Sequence, residues 1–210
     1  MRAVYALIAF LVVAIAFTWI VGRGFGRAGD GGAEAPAPIT NPSDINMTSD
    51  LTLSSTAFES GASIPSRFTC DGDNASPPLS FGGVPEGAVS LALIMDDPDI
   101  PQAVKDSMHI GVFDHWVLYD LPPNTGSLEE GSPPADGAGV EGVNGAGKGG
   151  YTGPCPPKQY EPTEHRYFFR LYALDTKLGL PAGSTKAEVL SAMQGHILAE
   201  AELMGKYERQ

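Results

Sequence analysis

Hydrophobic and polar positions fall into short apolar runs separated by long turn clusters. LTLSSTAF (51–58), VSLALIM (89–95), HWVLYDL (115–121) and RYFFRLYALD (166–175) predict four strands. The second is a continuous apolar run too short for a helix; the third and fourth alternate with a period near two. DGDNASPP, GGVPEG, LPPNTG and the Gly-rich stretch 137–153 supply the turns. Helical patterning comes only at the end. Ser184 and Thr185 offer caps for TKAEVLSAM, Gly195 interrupts, and HILAEAELMGKYER continues with i, i+4 apolar spacing. The expectation is a mainly β domain with two short C-terminal helices at its periphery. Strands do not alternate regularly with helices, which argues against a doubly wound nucleotide-binding sheet.

The N-terminal 50 residues follow another pattern. Residues 3–21 carry no charge and are long enough, at about 1.5 Å per residue, nearly to span a hydrocarbon core. Both Ala-x-Ala sites, ending at Ala35 and Ala37, are followed by proline, which favours a signal anchor in 1–21 over a cleaved signal peptide. Arg2 on one side and Arg23 and Arg27 on the other leave the orientation open. Residues 22–50 are rich in Gly, Ala, Pro and Asp and read as a flexible tether to a domain spanning 51–210. The expected location is outside the cytoplasmic membrane, anchored to it, or periplasmic or secreted if the segment is cleaved.

Charge narrows the functions. Acidic residues outnumber basic ones 25 to 13, for a net charge of −12, and from position 51 onward the count is 21 to 10. Such a surface repels nucleic acid and anionic lipid at long range, so no nucleic-acid partner is expected. Hydrophobic residues, at 42%, are too many for a disordered chain despite 26 Gly and 18 Pro. Two cysteines, Cys70 and Cys155, leave two readings open. They could be separate thiols, or a disulfide closing a long loop at a gain of roughly 4–5 kcal/mol.

Among chemical motifs, Gly142-Val-Asn-Gly-Ala-Gly147-Lys148 imitates a phosphate-binding loop. Gly149 follows where a hydroxyl is needed, and neither a strand nor a helix flanks the segment, so it reads as a surface loop. No G-x-S-x-G, H-E-x-x-H or C-x-x-C pattern occurs, and neither a cofactor nor a metal ion is expected. Polar residues do gather where strands end. Asp96, Asp97 and Asp99 follow the apolar run, His115 and Trp116 open one strand, and His165, Arg166 and Tyr167 open another. Imidazoles, a phenol and freed backbone N–H groups at one sheet rim would donate to an anion, and a carboxylate there would orient an imidazole or accept from an amine.

Six segments together resemble the phosphatidylethanolamine-binding protein family, in its bacterial Raf-kinase-inhibitor-like branch. They are FTCDGDNASPPLSF (68–81), MDDPDIP (95–101), FDHWVLYDLP (113–122), GYTGPCPP (150–157), HRYFFRLYALD (165–175) and AMQGHILAEAELMGKYER (192–209). The resemblance implies a Greek-key-like larger sheet packed against a smaller one, and a small preformed anion pocket. It places Asp97, Asp99, His115, Pro157, His165 and Tyr167 at that pocket and favours a Cys70–Cys155 bond. It further implies a non-catalytic binding or regulatory domain taking a phosphate or phosphoethanolamine-like head group. Within this reading His115 and Tyr167 are the donors, while Asp97 holds His115 or receives an amine. Arg166 and Asp96 could instead belong to structural ion pairs. An inhibitor of a kinase or protease, capturing its protein partner at the same rim, is the alternative. A hydrolase or isomerase using His115 with Asp97 as general base is a third. One departure is QAVKDSMHIGV between DDPDIP and FDHW, which adds His109 to the pocket's neighbourhood.

Overall fold

The computed structural model describes residues 50–131 and 138–210. The apolar run expected to anchor the chain, and all of the tether but Asp50, lie outside the described residues. Among the described residues no helix is long and apolar enough to cross a membrane.

Those residues form β1 (Thr52–Ser54), β2 (Leu79–Gly82), β3 (Ser90–Asp97), β4 (Phe113–Leu121), β5 (Ser127–Leu128), β6 (Val140–Glu141), β7 (Glu164–Leu174) and β8 (Ile197–Glu208). Two helices accompany them, α1 (Gln102–Met108) and α2 (Lys186–Met193). The larger sheet has the order β6-β4-β3-β7-β8 and the smaller β1-β2-β5, with antiparallel pairing throughout.

The central strand explains the continuous apolar run. Successive side chains of a strand point to opposite faces, and both faces of β3 are covered. Leu91, Leu93 and Met95 join Trp116, Leu118, Phe169 and Leu171 in the core against the smaller sheet, which contributes Leu53, Leu79 and Phe81. Ala92 and Ile94 join Val117, Tyr119 and Leu174 on the other face, under Val189 and Met193 of α2. The helix starts where the sequence places it. Thr185 Oγ1 accepts from the Glu188 N–H while the Glu188 carboxylate accepts from the Thr185 N–H, a reciprocal cap.

The two-sheet β architecture with peripheral helices matches expectation, but one helix is misplaced by the sequence. HILAEAELMGKYER is not a second C-terminal helix. It is β8, paired along its length with β7, from Glu164 opposite Glu208 to Leu174 opposite Ile197. The spacing Ala199, Leu203, Tyr207 is four residues, and four is also two periods of a strand. Gly205 is buried as well, which places the inward row at every second position. The second helix, α1, lies instead in the QAVKDSMHIGV segment, where it buries no side chain and so leaves no apolar stripe to detect.

The antiparallel order fixes the functional rim. Because β4 and β7 both run opposite to β3, the C-terminal end of β3 at Asp97 lies between their N-terminal ends. A strap, residues 150–157, crosses beside this rim and is tied to the loop after β1. Cys70 and Cys155 are joined in a disulfide, the Cys70 N–H donates to the Pro154 carbonyl, and the Tyr151 hydroxyl donates to the Phe68 carbonyl.

Candidate functional site

A cavity of about 290 Å³ opens at that rim. Its polar wall is Asp97 from β3, His115 from β4 and His165 from β7, and the strap adds Thr152, Cys155 and Pro157. Ile100, Val104, Met108 and Phe113 make the remaining wall apolar.

Each polar group is held by a second one. His165 Nδ1 donates to Asp97 Oδ2 at 2.7 Å, both side chains being buried. The other oxygen of Asp97 accepts from the Asp99 N–H at 2.8 Å. His115 Nδ1 stands 2.6 Å from the Thr152 carbonyl oxygen. A carbonyl only accepts, so Nδ1 carries the proton, and in the neutral ring Nε2 is left with a lone pair. Burial pushes the His115 imidazole below its ordinary range, against the opposing pull of the Thr152 carbonyl and of Asp97, Asp114 and Asp96.

Two buried polar atoms at the site have no partner, His165 Nε2 and the Tyr167 hydroxyl. Tyr167 is stacked beside His165 with ring centres 6.4 Å apart and meets His115 edge-on at 5.2 Å. Burial pushes its phenol far above the ordinary range, so the hydroxyl keeps its proton and acts as a donor. Leaving such a donor buried and unpaired typically costs about 1–3 kcal/mol.

Of the residues expected at the pocket, Asp97, His115, Pro157 and His165 line the cavity. Tyr167 sits behind the two imidazoles, and Asp99 stands aside from the wall. The Asp99 carboxylate takes both the Nε and Nη2 donors of Arg166, at 2.7 and 2.8 Å, and these bonds hold its carboxyl below the usual range. Arg166 is thereby in an ion pair, and Asp96 is in another, with Arg170 and Lys186. His109 caps the C-terminus of α1 in a left-handed conformation (φ 55°), outside the wall.

Two expected roles change. Asp97 holds His165 and not His115, so the His115–Asp97 hydrogen bond of a general-base pair is not formed. The neutral His115 presents an acceptor and becomes a donor only on gaining a proton. The residue that orients it, Thr152, was inside a quoted motif but acts through its backbone carbonyl, a role that side-chain identity does not signal. Val104 and Met108 were missed because α1 was.

Fold and cavity define a two-sheet β protein with an imidazole- and carboxylate-bearing pocket at one end of its larger sheet. The family model for phosphatidylethanolamine-binding protein matches residues 54–208. The chain is 52% identical over 163 residues to a UPF0098 protein of Methanothermobacter thermautotrophicus, covering 76% of this chain and 99% of that one. It is 47% identical over 159 residues to a UPF0098 protein of Chlamydia muridarum, with coverages of 76% and 99%. Among solved structures, a phosphatidylethanolamine-binding protein homolog from Chlamydia trachomatis is similar at TM-score 0.70 and 45% identity, over 78% of this chain and 100% of that one. Escherichia coli YbcL is similar at TM-score 0.66 and 29% identity, over 76% and 99%. The chain belongs to the phosphatidylethanolamine-binding protein family, in agreement with the resemblance read from its motifs. The whole chain of the Chlamydia trachomatis homolog thus corresponds to 78% of this one.

Proposed function

We propose that residues 50–210 are a non-catalytic binding domain for a small anion, phosphate or the phosphate of a phosphoethanolamine-like head group. The observation that carries this is the convergence of two imidazoles, His115 and His165, on the wall of one cavity. An anion would accept from His115 Nε2 once this carries a proton. Asp97 does not oppose it strongly, because both of its oxygens already accept from the protein. The family description, binding of phosphatidylethanolamine, points to the same chemistry. The domain acts outside the cytoplasmic membrane, tethered by the apolar run 3–21, and a disulfide between exposed cysteines suits an oxidising compartment.

A protein loop captured at the same rim is the second reading. Met108, 45% exposed on α1 beside the cavity, favours it.

The test is an NMR titration of residues 50–210 with inorganic phosphate and phosphoethanolamine. Shifts are expected around Asp97, His115, Pro157 and His165, and His115→Ala should abolish them while keeping a native spectrum. No response at millimolar ligand overturns the anion reading and leaves the protein-partner one.

A further inference from the structure

A second cavity, of about 370 Å³, lies on the other side of the strap. Gly150 and Tyr151 belong to its wall, whereas Thr152, Gly153, Cys155, Pro156 and Pro157 face the first cavity. Its remaining polar lining comes from Asp73, Asn74, Ser76, Trp116 and Glu141.

Two groups here are unspent. Trp116 is 1% exposed, and its indole N–H is buried without an acceptor. An indole N–H can only donate, and when buried it normally finds a partner. The Glu141 carboxylate has neither a hydrogen-bond nor an ion-pair partner among the described residues. It lies against two glycines: Oε2 comes within 3.2 Å of where a Cβ on Gly149 would stand, and Oε1 within 3.4 Å at Gly150. Asp73 adds a second carboxylate, only loosely matched by Arg67 at 3.5 Å. Tyr151 meets Trp116 edge-on with ring centres 5.6 Å apart, so aromatic surface stands next to the carboxylates.

This donor set selects its own ligand. The carboxylates exclude an anion and attract a cation, and aromatic rings favour a cation too. A bare cation would leave the indole N–H unpaired, so the ligand needs an oxygen acceptor as well. At about 30 Å³ per water-sized group, the volume suits roughly a dozen non-hydrogen atoms. We propose that this cavity is a binding site for a compact hydroxylated amine, such as an amino sugar or amino alcohol. Glu141 and Asp73 take the ammonium, and the Trp116 N–H donates to a hydroxyl oxygen. The site stands independently of the anion pocket.

Trp116 supplies the reporter, because Trp19, the other tryptophan of the chain, lies outside residues 50–210. The single indole N–H resonance of that domain should shift saturably on titration with glucosamine. Glucose, with similar shape and no charge, should bind at least tenfold more weakly. Glu141→Gln should weaken glucosamine at least tenfold and Asp73→Asn severalfold; both positions are away from the core, so native spectra are expected. An indole resonance unmoved by tens of millimolar glucosamine overturns the proposal. So does equal binding of glucose, or unchanged affinity in Glu141→Gln. Phosphate binding at His115 can succeed or fail without altering any of these outcomes.

Discussion

Binding of an anion at His115 should draw a proton from solution, and the structure sets how many. In the free domain the His115 ring is held neutral by burial, with its one proton on Nδ1 committed to the Thr152 carbonyl. Donation to an anion needs a second proton on Nε2, so His115 contributes one proton per anion bound. Where the free ring is neutral and the bound ring charged, affinity changes tenfold per pH unit, about 1.4 kcal/mol. The window runs from the depressed value of the free ring, below 6.5, to the raised value that an adjacent anion gives the complex. Affinity rises as pH falls through that window. Stability of the unliganded domain moves the other way: the unfolded ring gains its proton near the ordinary value while the folded one resists, so stability from this group is lost as pH falls below about 6.5. Sulfate is the suitable probe, since it keeps one charge state across this range. Calorimetric titration between pH 6 and 8, in buffers of different ionisation enthalpy, counts the protons directly. Affinity that is flat or rises with pH, with no proton uptake, would refute the tautomer assignment and the donor role of His115.

The disulfide and the β8 edge of the core give two further predictions. Replacing Cys70 and Cys155 together by Ser should lower stability by roughly 4–5 kcal/mol, because the bond closes a loop of 85 residues; urea unfolding measures it, and a loss under 1 kcal/mol would mean that the strap's hydrogen bonds suffice. Gly205→Ala ought to help a strand, yet its Cβ would lie 2.5 Å from Ile64 Cγ1 and 2.9 Å from Phe58 Cε2. Overpacking should win and cost about 1–3 kcal/mol, read from the same unfolding curves; a gain in stability would show that this part of the core yields.

What the sequence disclosed depended on whether a signal was local. VSLALIM and RYFFRLYALD announce themselves as strands because burial on one or both faces forces apolar residues at strand spacing. Residues 197–208 do not, since Ala199, Leu203 and Tyr207 satisfy helix and strand periods alike. Their state is decided by β7, whose far edge needs a partner, and that is information from elsewhere in the chain. β5 and β6 are two residues each and carry no period at all. At the site the residue types were legible while their pairing was not. Asp97 and Asp99 are two positions apart, yet one turns inward to His165 and the other outward to Arg166. Which histidine receives the carboxylate depends on the neighbour that β3 acquires on each side.

The acidity of the domain bears differently on the two cavities. A net charge near −11 from position 51 onward opposes an anion at long range, but ions screen that field beyond about 8 Å at physiological salt. Within that distance the first cavity has Asp97 already occupied by two donors, Asp99 bound to Arg166, and Asp114 bound to Lys186. Its nearby carboxylates are thus largely matched, which leaves the imidazoles to decide what enters. In the second cavity Glu141 is unmatched and Asp73 weakly so. The strap therefore separates a pocket whose negative charge is internally compensated from one whose negative charge is available to a ligand. Added salt should consequently weaken an amine in the second cavity more than it weakens an anion in the first, where added salt also relieves long-range repulsion.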